Sequence, residues 1–236
     1  MRKQTFWTLR DLVDRWLSYR LVHRRLFRCR KEFHGNEYGG WNIYPDNLSD
    51  SSVVYSFGVG EDASFDLSII ARYGVEVHAF DPTPKSIAWV ESQSWPVQFH
   101  FHPYGVGGSD RMVDFFPPEN PDWVSHTILS NNPAIESVTQ VQLLRLNTIT
   151  EMLGHREIDI LKMDIEGAEY EVISDLLNTP NLRVRQVLVE FHHWLYPGVS
   201  VRDTRFAISK LEQAGYRLFS ISKNHTEFSL IKPDDS

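Results

Sequence analysis

The sequence has a single cysteine, Cys29, among its 236 residues. One cysteine cannot form an intramolecular disulfide, and a zinc site built on several cysteines is excluded. The fold must therefore be stabilised by its hydrophobic core. The low cysteine content fits a reducing compartment, and we expect a cytoplasmic protein, either free or peripheral to a membrane.

Long apolar runs are also lacking. No stretch approaches the roughly 18 uninterrupted apolar residues that a transmembrane helix needs, and the N-terminus is too charged throughout for a secretory signal. Hydrophobic residues still make up 42% of the chain and aromatic residues 13%. That content predicts a packed core for one large domain, or for one domain with a small addition.

Positive charge is scarce outside the N-terminus. Residues 1–31 hold ten Lys or Arg against two Asp, a net charge of +8, whereas the rest holds 14 basic against 29 acidic residues, a net charge of −15. An acidic body argues against a nucleic-acid substrate.

Residues 4–31 have apolar residues at helical spacing among arginines, which predicts a basic amphipathic helix. Such a helix could contact an anionic membrane, a partner or a second subunit, or pack on its own domain.

The chain is organised around Val53–Ala63, where a β-branched apolar run stops at Gly58 and Gly60 and an amphipathic stretch follows. This pattern predicts a strand, a tight turn and a helix. Glycine there leaves a ligand free to approach the backbone and allows positive φ. A second apolar run, Val75–Phe80, ends in Asp81, 21 residues after Gly60. In a βαβ unit, an acid at this distance binds the ribose of a nucleotide, so we predict a nucleoside-cofactor site.

The charge of the glycine-rich turn bears on the choice of cofactor. Gly58–Ala63 fits the dinucleotide pattern, but a dinucleotide places its pyrophosphate at the N-terminus of the following helix. Glu61 and Asp62 occupy that turn and would repel a pyrophosphate. S-adenosylmethionine has no phosphate and carries a sulfonium and an ammonium, so acidic neighbours favour it. An NAD-dependent oxidoreductase stays open as the alternative, as does a non-catalytic module that keeps the cofactor fold.

Two sets of motifs resemble a known family. Val54–Phe65 followed by His78–Thr83 resembles the methyltransferase-like protein 24 family, and Leu161–Glu169 is similar to the matching motif there and in the broader FkbM family. The resemblance extends over residues 50–232. It implies a class I methyltransferase that uses S-adenosylmethionine, often on oxygen, with a sugar or natural-product hydroxyl as the acceptor. The acceptor would be a small molecule or a glycan.

Strands and helices alternate from residue 53 onward and end in an antiparallel pair over Arg217–Lys223 and Thr226–Lys232. We therefore predict a doubly wound, Rossmann-like α/β sheet with an N-terminal helical extension. Residues 1–45 would form the basic helix and a connector without regular structure. Residues 46–236 would form the methyltransferase domain.

Three polar residues end two of the predicted parallel strands: Asp164 ends one, and Glu190 and His192 end the other. If these strands are neighbours, as the resemblance implies, the three residues converge at the edge where ligands bind in open α/β sheets. Glu190 or His192 could then deprotonate an acceptor hydroxyl, and Asp164 could orient the cofactor or the acceptor. The three could also share a divalent metal such as Mg²⁺, or serve only as helix caps and wall residues.

The remaining candidates lie in turns and loops. The predicted cofactor contacts are Ser56, Gly58, Gly60, Glu61, Asp81, Gly107 and Asp164. In class I methyltransferases the loop after the third strand lies near the adenine, which is the basis for Gly107, but Gly107 and Gly108 could equally form a hairpin turn. Residues 117–140 are rich in Pro, Asn and Ser, and we predict a substrate loop with Trp123 and His126 on the acceptor side.

Overall fold

The computed structural model describes Trp16 and residues 26–116, 139–193 and 199–233. Most of the predicted helix 4–31 and most of the predicted substrate loop, with Trp123 and His126, lie outside these residues. Trp16 is helical, as predicted, whereas the prediction is wrong for residues 26–31, which have no regular secondary structure. There the backbone N–H of Phe27 donates to the Leu218 carbonyl at 2.7 Å, a contact between distant segments that a helix would not make.

The described residues form twelve strands and five helices. The strands are β1 (Glu32–His34), β2 (Trp41–Ile43), β3 (Val53–Phe57), β4 (Glu76–Phe80), β5 (Phe99–His102), β6 (Gly105–Val106), β7 (Arg111–Phe115), β8 (Thr139–Leu144), β9 (Glu157–Met163), β10 (Arg183–Glu190), β11 (Arg217–Ile221) and β12 (Glu227–Ile231). The helices are α1 (Ser64–Tyr73), α2 (Pro84–Glu91), α3 (Leu146–Leu153), α4 (Glu169–Asn178) and α5 (Val201–Gln213).

Seven strands form the central sheet in the order β11-β12-β10-β9-β3-β4-β5. All neighbours are parallel except β12, which runs antiparallel to both β10 and β11. The chain winds outward from β3 through β4 to β5, and later returns to place β9 on the other side of β3. Ligands bind at such a reversal of strand order. The predicted doubly wound fold with a final antiparallel pair is confirmed.

Helices cover both faces of this sheet. On one face, α3, α4 and α5 pack on a cluster that includes Phe57, Leu161 and Val189. On the other, α1, α2 and β2 pack on a cluster that includes Ile69 and Ile160. Burial on both faces explains why β3, β9 and β10 are apolar runs and not alternating ones.

Local sequence signals agree with the helix starts. Pro84 begins α2, where its fixed φ fits and its missing N–H costs nothing. Ser200 precedes α5, and its backbone N–H donates to Asp203 Oδ2 at 2.8 Å in a capping box. Among the described helices, none has both the length and the hydropathy needed to cross a membrane.

Two segments differ from the sequence prediction. The connector before β3 contains the antiparallel pair β1–β2, whose Trp41 and Ile43 are buried in the core. These strands have only three residues each, too few for a visible alternation. The domain boundary at residue 45/46 stays a prediction. Tyr44, on the N-terminal side of that boundary, forms two hydrogen bonds through its backbone with the Gln186 side chain of β10.

The second difference concerns residues 97–116. The alternating sequence pattern over residues 97–106 predicts one strand, but the structure has two, β5 and β6, with Pro103 between them. Because β8 lies between β6 and β7 in a three-stranded sheet, β6 and β7 do not pair across Gly107 and Gly108. The hairpin alternative for these glycines is therefore wrong.

Four histidines lie together beside β3: His78, His100, His102 and His155. His78 Nδ1 is 3.0 Å from His102 Nε2, and the Tyr55 hydroxyl is 2.8 Å from His155 Nδ1. Burial, with help from neighbouring imidazoles, lowers the pKa of His78 to about 3 and that of His102 to about 4. This pair is therefore neutral at pH 7 and packs on the sheet as aromatic rings.

Candidate active site at the strand ends

The glycine-rich turn after β3 forms the centre of the site. Gly58 has φ +83° and Gly60 has φ +58°, values that favour glycine. A Cβ on Gly58 would lie 1.8 Å from the carbonyl oxygen of Asp164. The sequence argument placed a ligand against Gly58. In the structure it is the backbone after β9 that makes a side chain there impossible.

Asp81 connects this turn to the end of β4. Its side chain is buried, and Oδ2 accepts a hydrogen bond from the Gly60 backbone N–H at 2.9 Å while Oδ1 accepts one from the Thr83 backbone N–H at 2.8 Å. A carboxylate has about four acceptor positions, so Asp81 retains capacity for ribose hydroxyls. Glu61, one residue further along the turn, forms a 3.4 Å ion pair with Lys85 of α2.

A buried lysine donates a hydrogen bond to the backbone of the glycine-rich turn. Lys162 of β9 is only 6% exposed, and its Nζ donates to the Gly58 carbonyl at 3.1 Å. Burial raises the pKa of Asp66 in α1 to about 6, and the nearby charge of Lys162 opposes that rise. Ser56 has no exposed surface and lies beside Asp66. The cofactor contact of Ser56 stays a prediction.

Asp164, Glu190 and His192 come together as predicted, because β9 and β10 are neighbours in the sheet. One ligand atom from each lies within 4.8 Å of the others. We call these three residues the acid–histidine cluster. Two carboxylates and an imidazole form a donor set that could hold a divalent cation.

Three carboxylates surround His192, and the buried one, Glu169, fixes its orientation. Its Nδ1 lies 2.7 Å from Glu169 Oε1, and neither side chain has more than 5% exposure. Its Nε2 lies 3.5 Å from Asp164 Oδ1 and 3.6 Å from Glu166 Oε2. A carboxylate behind one ring nitrogen, with the other nitrogen directed into the site, is also the arrangement found behind metal-bound histidines.

The pKa values of Glu190 and His192 decide which of the two residues can accept a proton. Burial opposes the charged form of His192, but the hydrogen bond to Glu169 and the negative charges around it outweigh burial and raise the pKa of His192 to about 10. Burial and the charge of Asp164 raise the pKa of Glu190 to about 7. A protonated imidazole cannot accept a proton, so of the two predicted bases Glu190 is the better suited in this arrangement.

Gly107 lies beside Glu171 of α4. A Cβ on Gly107 would be 3.2 Å from Glu171 Oε1 of α4, whereas a Cβ on Gly105 would be 3.3 Å from Pro82 Cγ. Of the two glycines, Gly105 is therefore the one that contacts the segment after Asp81. The adenine contact of Gly107 stays a prediction. His126, the fourth predicted catalytic residue, lies outside the described residues.

Comparison with known proteins identifies the family. The family model of the methyltransferase FkbM domain matches residues 52–218, which include every strand-end residue described above. The chain belongs to the FkbM methyltransferase family. The resemblance on which the sequence argument relied is thereby confirmed.

Curated relatives of this FkbM chain include the probable methyltransferase-like protein 24 of Homo sapiens, 32% identical over 192 residues, and that of Rattus norvegicus, 30% identical over the same length. In both cases the match covers 76% of this chain and 44% of the relative. The chain thus spans less than half of the length of the curated relatives it matches.

Two solved structures align with most of the chain. The fibrillarin pre-rRNA processing protein of Methanococcus jannaschii aligns with a TM-score of 0.48 and 10% identity, over 79% of this chain and 69% of its own. Human N-acetylserotonin methyltransferase in complex with SAM aligns with a TM-score of 0.38 and 12% identity, over 80% of this chain and 49% of its own. At this level of likeness neither structure bears on the reaction of the FkbM chain.

Four residues at or near the strand ends were not among the predicted site residues: Lys162, Glu166, Glu169 and Tyr38. Lys162 interrupts an apolar strand and Glu169 begins a helix on its buried side, so a charge at a buried position was the available signal for both. Glu166 has φ +52°, which the sequence does not reveal. Tyr38 lies in the turn between β1 and β2, 89% exposed. Partial desolvation and the charges of Asp164 and Glu190 raise the pKa of Tyr38.

Proposed function

We propose that this FkbM-family chain transfers the methyl group of S-adenosylmethionine to a hydroxyl oxygen of a small molecule, with a sugar or natural-product hydroxyl as the acceptor class. The observation that carries the proposal is the position of Asp81. Its carboxylate is fixed to the Gly60 turn at the reversal of strand order, beside the acid–histidine cluster. An adenosyl ribose on Asp81 would direct the sulfonium toward those acids.

The charge of the turn supports S-adenosylmethionine over NAD. Glu61 and Asp62 lie at the N-terminal end of α1, where a pyrophosphate would otherwise bind. Asp62 accepts a hydrogen bond from the Ser64 backbone N–H at 2.7 Å, so a carboxylate already occupies this helix start. A cationic cofactor gains from these charges, and an anionic one loses.

The proposed reaction is a direct displacement. The acceptor oxygen attacks the methyl carbon of the sulfonium, the carbon–sulfur bond breaks, and S-adenosylhomocysteine leaves with the bonding electron pair. Glu190 takes the acceptor proton, because its raised pKa lies close to the working pH. His192 and Glu169 hold Asp164 and Glu190 in place. Most of the rate enhancement would come from holding the two reactants close and in line.

A divalent metal at the acid–histidine cluster is the alternative to proton transfer by Glu190, because a carboxylate that ligates a metal does not act as the free base. Asp164, Glu190 and His192 would hold it, with His192 neutral and Glu169 fixing its Nδ1. The ion would supply Lewis acidity that favours the ionised acceptor hydroxyl. The donor set fits a divalent cation, since carboxylates and an imidazole hydrogen-bonded to a carboxylate are common metal ligands. Mg²⁺ itself prefers oxygen ligands to imidazole.

Glu190→Gln is expected to lower the rate of methyl transfer by about two orders of magnitude, the contribution of a general base. Affinity for S-adenosylmethionine should remain within about twofold of wild type, because glutamine keeps the shape of the glutamate side chain. The measurement uses methyl-labelled S-adenosylmethionine with a panel of hydroxylated glycosides, across pH 5–9. The wild-type rate should rise with pH around the pKa of Glu190, and the variant should lose that rise.

Glu91→Gln, at the exposed end of α2, is the matched control and should behave as wild type. The same assay with EDTA and with added Mg²⁺ separates the two alternatives: turnover that survives EDTA favours Glu190 as the base, and turnover that EDTA abolishes favours the metal. A Glu190→Gln variant with the rate and pH profile of wild type would contradict the assignment of the base.

A further inference from the structure

The turn between β1 and β2, Gly35–Gly40, is attached to the glycine-rich turn of the site; we call it the cap turn. Asn36 makes both connections: its Nδ2 donates to Asp62 Oδ2 at 2.7 Å, and its backbone N–H donates to Ser64 Oγ at 3.1 Å. The FkbM match begins at residue 52, so the cap turn lies outside the residues that the family model matches.

Asn36 also fixes the shape of the cap turn. Its Oδ1 accepts hydrogen bonds from the backbone N–H groups of Tyr38 at 2.7 Å and of Gly39 at 2.8 Å. A side chain that binds the backbone two residues on holds a turn in one conformation. Tyr38 is thereby held at a defined place, with 89% of its surface exposed. Packing in the hydrophobic core therefore does not explain why this position holds an aromatic residue.

The surroundings of Tyr38 are acidic. A Cβ on Gly39, the residue after Tyr38, would lie 2.8 Å from Asp62 Oδ2, so the cap turn contacts an acid of the glycine-rich turn. A Cβ on Gly58 of the same turn would lie 1.8 Å from the Asp164 carbonyl oxygen, and the Asp164 carboxylate is grouped with Glu190. Besides partial desolvation, the charges of Asp164, Glu190, Glu166 and Asp62 raise the pKa of the Tyr38 phenol. An aromatic ring and several carboxylates around one space form an environment that favours a cation, since the face of the ring is itself negative.

We propose that Tyr38 is a positioning residue for the positively charged sulfonium of S-adenosylmethionine, which it holds between its ring and the acids at the strand ends. This inference rests on the proposed function and deepens it. Methyl transfer removes the charge from the sulfur, so the product S-adenosylhomocysteine loses the attraction of the ring. Tyr38 would thus favour binding of the methyl donor over retention of the product.

The test compares two ligands on three variants by calorimetry. Tyr38→Leu should weaken S-adenosylmethionine binding roughly five- to thirtyfold, the range for loss of a partly desolvated cation–π contact. S-adenosylhomocysteine binding should change less than about twofold. Tyr38→Phe keeps the ring and should keep both affinities. Phe206→Leu, at an exposed aromatic residue of α5, is the matched control and should change neither.

The two hypotheses fail in different ways. If wild type binds neither adenosyl compound, the proposed function fails. If wild type binds both but Tyr38→Leu leaves their affinity ratio unchanged, whether by weakening both equally or by weakening neither, the role of Tyr38 is overturned. Tyr38→Leu should keep the denaturation midpoint of wild type, because the exposed ring contributes little to the core.

Discussion

Gly58→Ala is expected to abolish measurable binding of S-adenosylmethionine, a loss of at least about a hundredfold. The substituted residue would have to keep φ +83°, which costs about 1–2 kcal/mol for a residue with a Cβ. The new atom would also lie 1.8 Å from the Asp164 carbonyl, a backbone atom that cannot rotate away. Relief requires the segment after β9 to move, and with it the Asp164 carboxylate.

Gly154→Ala is the matched control. Gly154 ends α3 with φ +76°, nearly the same conformation, yet nothing lies within 4 Å of the position of its Cβ. Gly154→Ala should therefore lower the free energy of unfolding only by the strain of positive φ, about 1 kcal/mol, and leave S-adenosylmethionine binding unchanged. The measurement is calorimetric titration beside urea denaturation of both variants. If Gly58→Ala binds the cofactor as well as Gly154→Ala does, the proposed contact between the two strand ends does not control the site.

Lys162→Met is expected to lower the free energy of unfolding by about 1–3 kcal/mol at pH 8, the usual cost of leaving a buried polar group without its partner. Two groups would be affected at once: the Gly58 carbonyl loses a donor, and the buried Asp66 carboxylate loses a nearby positive charge. Because Lys162 lies under the glycine-rich turn, the affinity for S-adenosylmethionine should fall as well.

The pH dependence of this destabilisation tests whether Lys162 acts through its charge on Asp66. A carboxyl group whose pKa is raised in the folded state binds its proton more tightly than in the unfolded chain, so stability rises as pH falls through the folded pKa toward the unfolded value of about 4. Without Lys162, the pKa of Asp66 should rise above its present value of about 6. The destabilisation by Lys162→Met should therefore be smaller at pH 5.5 than at pH 8.

The double variant Lys162→Met with Asp66→Asn serves as the control. It removes the buried negative charge and should recover at least half of the lost stability at pH 8. Chemical denaturation at the two pH values measures all three proteins. A loss that depends neither on pH nor on Asp66 would mean that Lys162 acts through packing alone, and not as a buried counterion.

Much of the fold could be predicted because its signals are local. Gly58, Gly60 and Asp81 lie at the ends of apolar runs, and parallel strands bring their ends to one edge. Asp164 and Glu190 could be predicted as neighbours for the same reason, once the family resemblance gave the strand order. The order itself depends on long crossovers, which hydrophobic periodicity does not encode.

What could not be predicted depends on contacts between distant segments. The charge of His192 is set by Glu169 and Glu166, and neither proximity follows from the spacing of residues. Lys162 is a surface type of residue that became buried because Gly58 offers it a carbonyl. The pair β1–β2 is too short to show a pattern, yet it carries Tyr38 to the site.

The measurement that tests the central claim most directly is calorimetric titration of the protein with S-adenosylmethionine, S-adenosylhomocysteine and NAD, with wild type beside Asp81→Ala. We predict micromolar binding of both adenosyl compounds to wild type, loss of both in the variant, and no binding of NAD. Asp81→Asn, which keeps the size of the side chain, should weaken binding less than Asp81→Ala does. Binding of NAD in place of the adenosyl compounds would contradict the methyltransferase account, and binding of none of the three would favour a non-catalytic module.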